Sequence, residues 1–413
     1  MALSAPGVSV SVSASAASSR PVSPTGVWFV AGVANGPTGI AIPINSMNDF
    51  VTYFGAVTNN QLTGRYTIAA TLATGGTAFN IDSSTLFDAL DLFFREGGVQ
   101  AYVSNAVSST ATSTQYAPAT ITSGKIKLDA ISGGSWANFS SSSSGPNVGL
   151  QLQIAAPVNS AYTATIVYNG NVMAQSPALG GEQDIVNWIN SLPNYVRLCT
   201  ATFVSGGTSN ISSGVNINLA AGTDYATVDA DIDKTLSYFT TDYGVGQISF
   251  PGKTSATAYK VLTAHAQLTN RVAILDGADT ATASTLTDAV RTLQTAGAVT
   301  TLAGQVAYLD ASYAGMYAPW VKAPGVVATN PNQTTGLVFQ RTIAPCALAA
   351  AKMAQNDQAN DCNVPAAGVG PGSAVYATGV TQSYSAADRA SLNNGGVNVI
   401  RNIPSVAQVA VYG

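Results

Sequence analysis

Leu86-Phe-Asp-Ala-Leu-Asp-Leu-Phe-Phe-Arg95-Glu96-Gly97-Gly98-Val99-Gln-Ala-Tyr-Val-Ser-Asn105 is the stretch whose reading decides the fold. A helix-like run stops at a double glycine, and an apolar run of strand composition follows at once. Glycine after a helix accepts the left-handed conformation without a Cβ penalty and lets the last carbonyls find donors. The pattern returns near the end as Ala387-Asp-Arg389-Ala-Ser-Leu392-Asn-Asn-Gly395-Gly396-Val397-Asn-Val-Ile-Arg401. Helix, double glycine, strand is the grammar of an α/β layered core.

Working outward, Val27-Trp-Phe-Val30-Ala-Gly reads as a buried strand ended by Asn35-Gly36-Pro37. Ser46 is placed to cap a short helix from Met47 to Phe54, and Leu62 to Thr85 reads as a loop or edge excursion. Later segments alternate in type. Asp229–Tyr238 reads as helix, Gly246–Phe250 as strand, Ser255–Thr269 as helix, Arg271–Asp276 as strand, Leu286–Ala296 as helix and Gln305–Leu309 as strand. Strands alternating with helices imply a mostly parallel sheet. Pro319–Gln340 reads as a loop and Ala344–Gln355 as a helix. Between 111 and 223 the texture changes to short alternating segments, with a turn at Asn169-Gly170 and one helix from Glu182 to Ser191. The expectation is an α/β core from 26–110 plus 224–413, an inserted mostly-β domain at 111–223, and an extended N-terminal arm at 1–25.

Composition narrows the function. Charged residues make up 9% of the 413, against roughly 25% in an ordinary globular protein. Lys+Arg 16 against Asp+Glu 20 gives a net charge of −4, so there is no basic field for nucleic-acid phosphates. So few charges do little to keep copies of the chain apart, which fits a protein packed against itself. Cys199, Cys346 and Cys362 are too few and too scattered for a disulfide framework or a CxxC metal site. The N-terminus has no secretion-signal pattern, and no apolar run approaches the ~20 residues of a membrane span. A chain made and folded in a cytoplasm, without membrane insertion, is expected.

The strongest enzymatic lead is Gly246-Gln-Ile-Ser-Phe-Pro-Gly252-Lys253-Thr254, with Asp276 ending the next strand. A phosphate loop needs glycine five residues before Gly252, where Gln247 stands, and Pro251 removes an amide from the cradle. The stretch therefore reads as a strand-to-helix turn capped by Thr254 or Ser255, with Asp276 a strand-end turn residue. His265, the only histidine, lies among alanines with no triad around it. Gly368-Val-Gly370-Pro-Gly372 has no preceding strand and reads as loop. No catalytic, cofactor-binding or metal-binding residue is expected. A nucleotide-binding α/β enzyme using Gly252-Lys253-Thr254 stays as the alternative, beside a non-contractile shell protein.

Taken in order, the motifs resemble the tail-sheath proteins of contractile phage tails and related injection machines. Pro6-Gly7-Val8-Ser-Val10 resembles the family's N-terminal arm, and Trp28–Pro37 its first strand and Gly-Pro turn. Asn48–Gly55 is similar to its Asp-Phe…Phe-Gly segment. Phe93-Phe94-Arg-Glu-Gly97-Gly98-Val-Gln-Ala101-Tyr102-Val103 resembles Phe-Phe-x-Asn-Gly-Gly-x-x-Ala-Tyr-Val. Gly134-Ser-Trp136-Ala-Asn138, Tyr317-Ala-Pro319-Trp320-Val-Lys322 and Gly396-Val-Asn398-Val-Ile400-Arg401 are each similar to a family motif. The family continues past a motif like Val409–Gly413, so the sequence is expected to be truncated, partial or a short member.

The resemblance implies a subunit that polymerises with itself as stacked hexameric rings around a tail-tube protein. It implies contraction that drives the tube through the host envelope, with assembly in the host cytoplasm and a place in the virion. It makes Pro6, Gly7, Val8, Val10 and Val12 the assembly arm. Phe93, Phe94, Gly97, Gly98, Tyr102, Gly395, Gly396 and Arg401 become the fold motif, with no cofactor.

Overall fold

The computed structural model describes residues 25–34, 36–54, 56–58, 61–63, 85–106, 117–141, 147–223, 229–301, 304–324, 340–360, 362–404 and 408–412. Its centre is an eight-stranded sheet. In chain order its strands are β1 (Val27–Gly32), β2 (Ala41–Ile44), β3 (Gln100–Asn105), β4 (Gln247–Ser249), β5 (Val272–Asp276), β6 (Ala314–Ala318), β7 (Val397–Ile403) and β8 (Gln408–Val411). They lie side by side as β2-β3-β1-β4-β5-β6-β7-β8. The six from β3 to β7 are mutually parallel, and β2 and β8 run antiparallel at the two edges.

Helices cover both faces. α1 (Met47–Phe54), α2 (Thr85–Arg95) and α6 (Pro345–Ala359) join the core on one face, with Trp28, Val30, Ala101 and Val103. The other face buries Val27, Phe29, Ala31, Ile248, Ala273 and Leu275. There they pack against α3 (Ile232–Leu236), α4 (Ala256–Thr269), α5 (Ala283–Gln294) and α7 (Ala386–Asn394). Strands buried on both faces are apolar throughout instead of alternating, which is why Val27–Gly32 is a continuous apolar run. The expected caps at Ser46 and Ser255 hold, and Ser385 adds one that the sequence reading did not name. Ser46 Oγ accepts from Asp49 N, Ser255 Oγ from Ala258 N, and Ser385 forms a reciprocal capping box with Asp388.

Residues 118–218 supply small antiparallel sheets, one of four strands and one of three, with the Glu182–Ser191 helix beside them. Their apolar residues are continuous with the core of the α1–α2–α6 face. The Tyr168 hydroxyl donates to the Tyr53 carbonyl at 3.1 Å across that junction.

Two sequence expectations need correction. Gln305–Leu309 contributes Val306–Tyr308 to a two-stranded hairpin with Ala298–Thr300, and the next place in the main sheet is taken by β6. The stretch from Pro319 to Gln340 is not all loop: Val321–Pro324 is a strand paired with Gln340–Ile343 and with Gly379–Val380.

At the edges, no described strand pairs with the outer side of β2, which carries Pro43. The outer side of β8 is bonded to residues 368–374: Gly368 N donates to Val411 O, Val411 N to Gly372 O and Ala374 N to Val409 O.

Candidate functional site

The first double glycine closes α2 with both bonds of a Schellman motif. Gly98 N donates to Phe93 O at 2.9 Å and Gly97 N to Phe94 O at 3.3 Å. Gly97 has φ +104, the left-handed region. Gly98 is needed for a different reason: a Cβ there would lie 2.3 Å from the Phe93 ring. That ring is fully buried, 4.9 Å from Trp28 and 5.3 Å from Phe94. The strand that follows carries Tyr102, whose ring stacks on Phe29 at 5.5 Å.

Around this turn sits most of the buried charge among the described residues. Glu96 is fully buried at the end of α2, and Lys352 of α6, also fully buried, meets its carboxylate at 2.9 Å. The same carboxylate accepts the backbone amides of Val375, Tyr376 and Ala377, each at 2.8 Å. Lys352 also donates to the Glu96 carbonyl at 3.1 Å. One turn earlier, Arg341 reaches Asp88 at 2.8 Å and Asp91 besides, while Arg95 closes on Asp91 at 2.9 Å. Burying these ions costs solvation, which the bonds offset, and removing one partner leaves the other stranded. Helix α2, helix α6, the Gln340–Ile343 strand and the 375–377 segment are thereby clasped to one turn.

The second double glycine has the same outline and no such clasp. Gly396 holds the positive φ, +78, and its amide donates to Asn393 O. Gly395 is the close approach, where a Cβ would meet Thr287 Cγ2 of α5 at 2.3 Å. Beyond it, Arg401 on β7 lies over the Tyr412 ring, 3.7 Å from its centroid.

The carboxyl ends of the parallel strands, where open α/β sheets hold ligands at the point where strand order reverses, are filled by the chain itself. The chain leaves β1 for β3 on one side and resumes with β4 on the other, so the reversal falls between β1 and β4. The cavity there, lined by Val33, Ala106, Ile232, Phe250 and Lys253, measures about 10 Å³; ligand pockets run from about 300 Å³. The Gly252 amide is already given to Asp276 Oδ2 at 2.9 Å, and Lys253 pairs with Asp229 at 2.6 Å. That hydrogen bond from Lys253 holds the Asp229 carboxyl below its ordinary pKa.

Asp276 is more than a turn residue. Its other oxygen accepts Cys346 N at 2.7 Å, joining the β4–α4 turn to the start of α6. Burial raises its pKa to about 6, against the pull of those two amides. Arg271 is buried as well, donating to the carbonyls of Gly244, Phe239 and Thr240 while stacking on Phe29 at 3.7 Å. It lies 3.2 Å from His265 Nε2. Burial and that cation push the histidine down to about 3, so it is a neutral, satisfied core group.

A larger cleft of about 650 Å³ opens at the opposite, amino ends of the strands, lined by Gln247, Arg271 and Asp310 among others. Among the described residues no cluster of three His, Cys, Asp or Glu side chains is set to hold a metal. Among them, too, no helix is long and apolar enough to cross a membrane. Pro6, Gly7, Val8, Val10 and Val12 lie outside the described residues. Glu96, Lys352, Arg341 and Arg271 escaped sequence reasoning. The available signal was a lysine directly after the run Ala347–Ala351, and two acids on a largely apolar helix with a third just past its end.

No protein-family model matches the chain, and no curated protein does. Among solved structures it is similar to a sheath tail protein from Listeria innocua, with TM-score 0.50 and 14% identity, over 95% of this chain and 69% of that one. A sheath tail protein from Desulfitobacterium hafniense is similar at TM-score 0.42 and 13% identity, over 94% of this chain and 70% of that one. The contracted helical sheath of the anti-feeding prophage is similar at TM-score 0.39 and 14% identity, over 100% of this chain and 68% of that one. The class is thus a layered α/β protein with a mostly parallel sheet and several small antiparallel ones. Within that class, the Listeria likeness gives the particular fold: it is the fold of a tail-sheath protein.

Proposed function

We propose that this chain is a structural, non-enzymatic subunit of a contractile tail sheath. It polymerises with its own copies as stacked hexameric rings around a tail tube, and contraction of that polymer drives the tube through the host envelope. The observation that carries this reading is the sheath-protein fold along 95% of the chain. The filled switch point supports it, because a nucleotide enzyme of this class would need room and free amides where Asp276 and Lys253 already have partners. In this reading the arm bearing Pro6, Gly7, Val8, Val10 and Val12 adds a strand to a neighbour's sheet. Residues 111–223 form an inserted unit on the α/β core, and the protein resides in the tail particle after assembly in the host cytoplasm.

Electron microscopy of the purified protein tests it. Tubes or stacked sixfold rings are expected. A strictly monomeric particle that binds ATP and magnesium, and loses that binding on Lys253→Ala, would overturn the reading in favour of the enzyme alternative.

A further inference from the structure

The cleft of about 650 Å³ at the amino ends of the parallel strands has the chain's own path at its lip. Thr25 lines it, and from Thr25 the chain runs back into residues 1–24. That exit is pinned: buried Gln247, on β4, donates from Nε2 to the Thr25 carbonyl at 2.6 Å. Anything that fills the cleft must share its mouth with residue 24.

The lining has two characters. Val272, Tyr313, Met353, Val364 and Pro365 form an apolar wall, and Val272 and Val364 are exposed on it. Asp310 and Asp357 add two carboxylates. The one cation in the lining is Arg271, buried, with its donors directed to the carbonyls of Gly244, Phe239 and Thr240 and to His265. Asp310 is exposed, accepts the Ser312 amide at 2.9 Å, and makes no ion pair with a described residue. The cleft therefore offers apolar surface and an acidic rim.

The residues just before Thr25 match both characters. They read Arg20-Pro21-Val22-Ser23-Pro24, and Arg20 is the only charged side chain among residues 1–24. Arg20 stands five positions before Thr25, a span of at most about 17 Å. A residue before proline is disfavoured in the helical region, and Arg20 and Ser23 both precede one; such a sequence suits an extended path along a groove. We infer that residues 20–24 of the same chain dock in this cleft, with Pro21 and Val22 on its apolar wall and Arg20 toward Asp310 and Asp357. An outside partner would compete with a segment tethered at the mouth, whose effective concentration is roughly millimolar. The inference stands without the sheath reading. Where that reading holds, the docked root sets the direction in which Pro6 to Val12 leave toward a neighbour.

Cys362 lines the same cleft and is the one exposed cysteine, Cys199 and Cys346 being buried. The rate at which a thiol reagent labels Cys362 in the full chain therefore reports whether the cleft is covered. Arg20→Glu should speed labelling about fivefold, the upper end for a partly exposed ion pair, and Asp310→Lys should do the same. The reversed pair Arg20→Glu/Asp310→Lys should restore the slow rate, which a merely structural role for either residue would not do. Val22→Asp, which puts a charge on the apolar wall, should speed labelling at least as much. Thermal melts confirm folding, and Arg20→Glu with Val22→Asp carry the test alone if Asp310→Lys fails to fold. Labelling at the wild-type rate in both of those variants refutes the docking. A reversed pair that labels as fast as the single variants refutes the contact between Arg20 and Asp310. Protection that disappears on dilution assigns the cleft to a neighbour's segment and overturns the inference, while protection independent of protein concentration supports it.

Discussion

The two double-glycine turns are built alike and carry different loads. In each, one glycine takes a positive φ and the other makes room for a neighbour, Gly97 and Gly98 in the first, Gly396 and Gly395 in the second. The first is surrounded by Glu96, Lys352, Arg341, Asp88 and Asp91, linking residues 250 or more positions apart. The second packs against its neighbour helix α5 through Thr287 and Val290. A turn's backbone geometry fixes how two elements join. The buried charge beside it decides whether the whole molecule depends on that joint.

The largest effect that can break this comparison is Lys352→Met. It strands the Glu96 carboxylate in the core, and about 3–5 kcal/mol of stability should be lost. Urea unfolding measures it; a loss below about 1 kcal/mol would show that the clasp is not the anchor described above.

Asp276 sharpens the contrast, because it staples two segments with backbone amides and no cation. Its pKa, 3.8 when unfolded, is raised to about 6 by burial, so the folded state holds the proton more tightly between those values. Asp276 therefore adds stability below about pH 4 that is lost as pH rises through about 6, on the order of 3 kcal/mol. His265 works the other way: held down to about 3, it contributes stability above its unfolded value of 6.5 that is lost as pH falls. Asp276→Asn should remove the first slope from a melting-temperature profile and His265→Gln the second. Unchanged slopes in both variants would contradict the burial argument.

The smallest effect separates the glycines themselves. Gly98→Ala drives a methyl into a fully buried ring and should cost about 1–3 kcal/mol. Gly395→Ala meets a half-buried threonine that can yield, and its cost should be lower by about 1 kcal/mol. Equal costs in thermal denaturation would erase the distinction.

Much of this was legible in the sequence because it is written in local signals. Double glycines, the Ser255 cap and the apolar run Val27–Gly32 each report backbone conformation or burial within a few residues. The clasp was not legible, since nothing near Glu96 points to a lysine 256 positions away. The place of β6 was missed for another reason. Ala314-Gly-Met-Tyr-Ala318 contains glycine and no β-branched residue, so Gln305–Leu309 competed successfully for the same role on composition alone. Asp276 was legible as a strand end but not as a staple, because its two donors come from turns that only the fold brings together. Arg401 was legible as part of a motif, and its place over the Tyr412 ring was not.

The covered edge of the sheet has a consequence for life in a crowd. Bare edge strands offer donors and acceptors to any other chain and invite runaway aggregation. A net charge of −4 gives a 413-residue chain little repulsion against it. The bonds from residues 368–374 seal the β8 side, and Pro43 on β2 is a residue that ladders admit only at their margins. On the β8 side an identical copy meets a ladder whose donors and acceptors are already engaged, and at β2 it meets a proline that gives no amide.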